Sequence, residues 1–225
     1  MDYHKCLDLL HQTEEGIWVD KINEARTNGG LCAWLTTLLP GQASCRLDGG
    51  FLNGSYNLCQ KLVSNNGTAL LLRFPRISSV SSNYADEKVA MEVEALDLIR
   101  KKTTIPIPEV HAWGLAEANP LGLGPFILME FIDGVCLKEL FLGEESRLLK
   151  EEISDCNVES IYRQMANFML QLFNIDFPHI GSLPTPTTGF SVPIRPLTWK
   201  AHDIIQNGGV NTFGWFTCPH RAYSC

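Results

Sequence analysis

The sequence has no long apolar run and no cluster of basic residues. Its longest apolar stretch, Leu31–Leu39, is interrupted by Thr36 and Thr37 and is far shorter than the roughly 20 residues that cross a bilayer. The formal net charge is −7, and no segment gathers Lys and Arg into a positive surface for a phosphate backbone. We therefore expect neither a membrane nor a nucleic acid as partner.

A secretion signal and closely spaced cysteines are also lacking. Met1–Leu10 has no apolar signal core, so we expect a cytoplasmic protein. The eight cysteines contain no CxxC pair, and in that compartment they are expected to be reduced thiols rather than bridges. Cys218 with His220 and Cys225 could suggest a metal site, but too few ligands are present, so no metal is expected.

The order of predicted elements indicates an α+β fold. The first forty residues predict helices broken at residues 28–30, and Asn66-Gly67 between two extended runs predicts a hairpin. The predicted elements are strands at Tyr56–Val63, Thr68–Pro75 and Pro125–Phe131, and helices at about 83–102, Ile153–Ile175 and Pro196–Asn207, with a loop at Pro178–Pro196. An antiparallel lobe followed by a helical lobe is the natural packing of this order.

Two features suggest an anionic ligand. Residues 49–56 are glycine-rich and predict a flexible turn whose backbone N–H groups could approach a phosphate; a plain hairpin turn is the alternative, and the pattern does not fit GxGxxG. Arg73 is the cation of an otherwise apolar strand and requires an anionic partner unless it reaches water at the strand end.

Glu92 is the expected partner of Arg73. It shares a helical stripe with Val89 and Leu96, whereas Glu94 aligns with a more charged side of the same helix. An ordinary half-exposed helix position is the alternative for Glu92.

These residues in order resemble the aminoglycoside phosphotransferase and choline-kinase-like family, in particular its fungal members. The resemblance covers about residues 43–210. It is carried by Gly54-Ser55-Tyr56-Asn57, Leu72-Arg73-Phe74-Pro75, Glu92-Val93, Ile105–Pro108, Phe126–Phe131, Ile180–Leu183 and Arg195–Thr198.

The resemblance implies a protein-kinase-like fold with a complete antiparallel-sheet N-lobe and an incomplete helical C-lobe. The implied divisions are a helical extension at 1–42, the N-lobe and hinge at 43–132, a partial C-lobe at 133–210 and a divergent tail at 211–225. It implies ATP as cofactor and a small-molecule acceptor, with transfer of the γ-phosphate to a hydroxyl group. The implied nucleotide-binding residues are Gly50, Asn53, Gly54, Ser55, Arg73, Glu92, Glu130 and Ile132.

The catalytic motif of that family is missing. HxDxxxxN is absent; His202-Asp203 with Asn207 comes nearest, at the wrong spacing, and no acidic residue follows Asp203. We therefore expect no catalytic residue and no metal ligand, in a C-terminally truncated and inactive chain. A nucleotide-binding pseudokinase or regulatory module is the alternative, and an active enzyme with unorthodox acids, such as Asp176 or Asp203, is a third.

Overall fold

The computed structural model describes residues 3–77, 84–142, 150, 153–177 and 181–191. In chain order the elements are α1 (Tyr3–Thr27), α2 (Gly30–Leu38), β1 (Cys45–Asn53), β2 (Asn57–Ser64), β3 (Ala69–Pro75), α3 (Ala85–Lys102), β4 (Val110–Gly114), β5 (Phe126–Glu130), α4 (Leu137–Phe141) and α5 (Asp155–Phe173). The predicted helix at Pro196–Asn207, the motif Arg195–Thr198, His202 with Asp203, and the Cys218–Cys225 segment lie outside the described residues.

The strands form one antiparallel sheet with the order β1-β2-β3-β5-β4. The predicted hairpin is confirmed: the Ser64 N–H donates to the Thr68 carbonyl at 2.9 Å, and Gly67 takes a φ of 87° that only glycine adopts easily. The α+β prediction is therefore confirmed at the level of class.

Helices α1 and α2 cover one face of the sheet. Trp34 of α2 packs edge-on against Phe126 of β5, with ring centroids 4.7 Å apart. The Trp18 indole N–H donates to the Leu123 carbonyl at 2.9 Å, so the one polar atom of this buried ring is satisfied. The fully buried members of this core include Ile22, Leu31, Leu35, Leu62, Leu72 and Leu128.

Helix α3 covers the opposite face. Its Val89 and Val93 pack with Ile127 and Met129 of β5 in a second cluster. Strand β3 therefore lies between two layers: Leu70, Leu72 and Phe74 belong to the first core, and Leu71 packs against the second. The continuous apolar pattern of this strand is explained by burial on both faces, as predicted.

The glycine-rich segment differs from the predicted flexible turn over much of its length. Strand β1 continues through Gly49 and Gly50, with a bulge between Asp48 and Phe51. Gly49 has a φ of 68°, and the buried Gln60 amide donates to the Asp48 carbonyl at 3.2 Å. Gly49 therefore provides the positive φ of a β-bulge. The turn itself is limited to the residues after Asn53.

Two elements have no counterpart in the prediction, namely β4 and the short helix α4. The chain divides into two compact units: the first comprises the described residues within Met1–Asp97, Pro108–Phe131 and His179–Cys225, and the second those within Leu98–Ile107 and Ile132–Pro178. The division into four segments expected from sequence stays a prediction.

The second unit contains α5, which was predicted as Ile153–Ile175. Ser154 caps this helix, and its side chain accepts from the Asn157 N–H. The Gln171 side chain accepts from the Thr104 N–H at 2.7 Å. No residue of α5 is buried, so its apolar positions are open in the part of the chain that the structure describes.

Candidate functional site

The candidate site lies on the sheet face covered by α3, within the first unit. Leu52, Cys59, Arg73 and Ile127 are register partners in four neighbouring strands, so they form one row across the sheet. Ile127 is buried beneath α3, whereas Leu52 at the other end of the row is 50% exposed. The row therefore runs from a closed apolar end to an open apolar end, with a cation between them.

Arg73 and Glu92 meet as the sequence pattern indicated. The Arg73 Nη1 lies 2.5 Å from the Glu92 Oε1, and each side chain is 25% exposed. The pair joins β3 to α3 and is partly shielded from water, so each charge stabilises the other more than at an open surface. The contact itself is established, and its use in ligand binding stays a prediction.

Lys88 is a third charged group at this site, and sequence reasoning missed it. It lies one helical turn before Glu92 on α3, at the spacing of four residues that places two side chains on one face. Burial lowers the pKa of Lys88; the nearby Glu92 opposes this effect and Arg73 adds to it. No hydrogen bond or ion pair joins the Lys88 side chain to another residue in the described ranges, so two cations here face one carboxylate.

Cys59 lies beside these charges. Burial raises the pKa of its thiol; Arg73 acts in the opposite direction, and Glu92 raises the pKa further. The thiol is therefore held protonated, and it contributes no anion to balance the two cations.

The predicted phosphate turn is a tightly held structure. The Gly54 N–H donates to the Asn57 carbonyl at 3.0 Å, and the Gly54 carbonyl accepts from the Arg76 Nε at 2.8 Å. Both backbone groups of Gly54 are thus occupied, whereas Gly50 and Ser55 are exposed. The backbone N–H of Gly54 is not free to contact a phosphate while the turn keeps this form.

Arg76 is the residue that holds the turn, and no sequence signal singled it out. Its Nη2 donates to the Asn53 side-chain oxygen at 3.2 Å, and its Nη1 forms an ion pair with Glu15 of α1. The side chain of Arg76 is 18% exposed, and that of Glu15 is 22% exposed. One guanidinium therefore connects α1, the end of β1 and the Gly54 turn.

Glu130 and Ile132 were expected to supply backbone groups to an adenine. The Glu130 N–H already donates to the Glu109 carbonyl at 2.8 Å, so that donor is occupied. Ile132 belongs to the second unit and is 60% exposed. Their roles as ligand contacts stay predictions.

Glu94, which the sequence placed on the more charged side of α3, is buried. It is 5% exposed, and its Oε1 accepts from the Thr188 N–H at 2.7 Å. The neighbouring Asp97 accepts from the Thr187 hydroxyl at 3.2 Å. The segment around Thr188 packs over Glu94, a contact that helix periodicity alone does not reveal.

Metal and membrane features are absent from the described residues. No group of three His, Cys, Asp or Glu side chains there is arranged to hold a metal ion. None of the helices in the same ranges has both the length and the apolar character needed to cross a bilayer.

Comparison with known proteins identifies fungal relatives. The chain is 30% identical over 130 residues to a subtelomeric hrmA-associated cluster protein of Aspergillus fumigatus, a match covering 58% of this chain and 23% of that protein. It is 28% identical over 133 residues to Altered inheritance of mitochondria protein 9, mitochondrial, of Zygosaccharomyces rouxii, covering 58% and 20%. The protein of the same name from Clavispora lusitaniae is 31% identical over 132 residues, covering 58% and 21%.

The matched region is about a fifth of the length of these curated relatives. No protein-family model matches the chain, and no solved structure matches it.

These findings correct two expectations. The assignment to the aminoglycoside phosphotransferase and choline-kinase-like family is wrong, and with it the interpretation as a truncated, inactive ATP-binding transferase. None of the three relatives is named as a kinase or phosphotransferase, and no family model supports one. The cytoplasmic expectation is also contradicted, since relatives from several yeasts carry the word mitochondrial in their names.

Proposed function

We propose that the sheet unit binds the phosphate groups of a nucleotide such as ATP, as a binding module and without a chemical step. Lys88 carries this proposal. It is a half-buried cation with no hydrogen bond or ion pair within the described ranges, and it lies beside an Arg73–Glu92 pair that already balances its own charges. A desolvated cation of this kind is stabilised by a bound anion.

The shape of the neighbouring row supports a ligand with an apolar part. Leu52 is half exposed and faces the same side of the sheet as Arg73, two strands away and therefore about 10 Å distant in the plane of the sheet. An apolar side chain at that distance from Arg73 suits a molecule with a flat base at one end and phosphates at the other. Gly50 lies within β1, Asn53 ends that strand and Ser55 follows it, so all three are close to Leu52 in the chain, and their contact with the ligand stays a prediction.

Titration calorimetry with ATP tests the proposal directly. We expect Lys88→Gln to weaken ATP binding about 10- to 100-fold, because a charge-assisted hydrogen bond contributes about 1.5–3 kcal/mol. Lys102→Gln is the matched control, since it removes the same charge from an exposed position of α3. Affinity should also fall as the pH rises through the lowered Lys88 pKa, because the anion binds the charged amine.

Saturating ATP adds about 2.7 kcal/mol to the free energy of unfolding at 100 times its dissociation constant, which a thermal melt detects. An unchanged melting temperature at millimolar ATP would contradict the proposed nucleotide site. Equal affinities of the Lys88→Gln and Lys102→Gln variants for ATP would also contradict it.

As a matter of fold alone, we propose that the antiparallel sheet with α3 across one face is the sheet lobe of a protein-kinase-like fold. The strand order and the Arg73–Glu92 pair support this finer assignment. An experimental structure of one of the longer relatives that lacks this pairing of helix and sheet would contradict it.

We also propose a mitochondrial location, supported by the names of the yeast relatives. The full-length protein, detected with an antibody in fractionated cells, should sediment with mitochondria and resist added protease until the membranes are opened. Recovery in the cytosolic fraction alone would overturn this.

A further inference from the structure

Two cysteine thiols lie together at the junction of α2 and β1. Cys32 is in the first turn of α2, and Cys45 is the first residue of β1. Both are free and half-buried, and the Cys45 thiol donates to the Cys32 carbonyl oxygen with Sγ and O 3.9 Å apart. The short connection through Pro40–Gln42 folds the chain back so that residues 13 positions apart become neighbours.

The two thiols also affect each other electrostatically. Burial, and then the adjacent Cys32 thiol, raise the pKa of Cys45 to about 11, whereas a hydrogen bond with Thr36 acts in the opposite direction. Cys45 is therefore protonated at neutral pH and is a poor first nucleophile. Its position beside a second sulfur suits it to react second, with a sulfur that has already been oxidised.

We propose that Cys32 and Cys45 form a reversible intramolecular disulfide when the protein meets a peroxide, which makes this thiol pair a redox modification site. The Cys32 thiolate attacks one peroxide oxygen, the O–O bond breaks, and the departing hydroxide takes a proton to become water. The Cys45 sulfur then displaces the hydroxyl of the resulting sulfenic acid, and its proton leaves with that hydroxyl as a second water. Two thiols and one hydrogen peroxide thus give one disulfide and two waters, with two electrons passing from sulfur to oxygen.

The bond would fasten α2 to the edge strand of the sheet. Leu31 and Leu35 of α2 are fully buried in the core, so the helix is already seated where the bond would hold it. Closing this short loop restricts the unfolded chain more than the folded one, and the oxidised form should therefore melt at a higher temperature. A thiol reductant should reverse both the bond and the gain.

Peptide mapping of the peroxide-treated full chain provides the test. Trypsin cuts after Arg26 and Arg46 and at no residue between them, so both cysteines fall in the single peptide 27–46. We expect this peptide to lose two hydrogens, to resist alkylation after peroxide, and to regain two alkylation sites after dithiothreitol. Cys59, another half-buried thiol, falls in the next peptide downstream, 47–61, and is the internal control, which should still take its single label.

Single variants separate this bond from other oxidation products. In Cys45→Ser the Cys32 sulfenic acid has no partner, so it should be captured by dimedone, and the rise in melting temperature should disappear. Cys45→Ala gives the same readout should the serine disturb packing. Two separately alkylated cysteines in the peroxide-treated wild type, or a bond from Cys32 to a different peptide, would overturn the proposal.

Discussion

At the scale of single residues, the sequence predicted the strand cation and its helix partner but not the cations around them. Arg73 was detectable because it interrupts an apolar strand, and Glu92 because of its stripe on α3. Lys88 had a usable signal, the spacing of four before Glu92, that was not applied. Arg76 had none, because the side-chain partners described above lie 22 or more positions away and are brought to it by folding.

Arg76 provides a residue-scale prediction. Replacing it by alanine leaves the Gly54 carbonyl, the Asn53 side chain and Glu15 without this donor. We expect Arg76→Ala to lower the free energy of unfolding by about 1–2 kcal/mol in urea melts, given partly shielded bonds to a charged group. Amide hydrogen exchange should increase at residues 53–57, which measures the loosened turn itself.

The control for this change is Arg46→Ala. Arg46 is on β1, its side chain is 71% exposed, and its nearest carboxylate, that of Asp48, is 3.8 Å away. Its loss should change stability by less than about 0.5 kcal/mol. Equal effects of the two substitutions, or an unchanged exchange rate at the turn, would show that Arg76 does not hold it.

At the scale of elements, the sequence predicted the helices and strands that local patterns determine. It missed the strand segments that form only by pairing with a neighbouring strand. The hairpin of β2 and β3 and the helix α3 follow from turn chemistry and periodicity, and both are present near the expected bounds. Part of strand β1 was predicted as a turn, because a sequence alone does not distinguish glycines in a β-bulge from glycines in a turn. The neighbouring strand decides between them: Gln60 of β2 supplies the amide that stabilises the bulge.

Strand β4 illustrates the same limit. Its five residues have no clear alternation, and its register with β5 is itself interrupted between Val110 and Ala112. Gly114 is required at its end, since a Cβ there would come within 2.7 Å of the Phe126 ring. These constraints come from β5 lying alongside, which no local pattern in residues 110–114 contains.

At the scale of the whole molecule, a series of family-like motifs proved to report packing more than activity. Phe74 is 1% exposed in the core, and the Gly54 turn is held by Arg76, so both have structural reasons to be present. Residues that are required for packing are not by themselves evidence of one family's chemistry, because function depends on the site rather than on the fold. The fungal relatives therefore overturn the family assignment. The contact between Arg73 and Glu92, which was predicted from the sequence pattern, is nevertheless present.

The second unit has an exposed apolar helix face that favours association between molecules. Helix α5 exposes large apolar side chains, among them Tyr162 at 71%, Met169 at 67% and Phe173 at 84%. Uncovered apolar area of this kind drives association in water, so we expect the isolated chain to oligomerise or to be weakly soluble and to bind a hydrophobic dye. Sedimentation velocity over a range of concentrations measures the first property, and dye fluorescence measures the second.

A pair of α5 variants separates the apolar face from the helix as a whole. Met169→Glu places a charge on the exposed apolar side and should shift the sedimentation profile toward monomer with weaker dye fluorescence. Gln164→Glu introduces the same side chain at an exposed position that is already polar, and it should leave both measurements near wild type. A wild-type chain that sediments as a monomer at all concentrations, with no dye binding, would mean that the α5 face does not drive association. The exposed apolar residues of α5 would then have no effect on the association state of the molecule in solution.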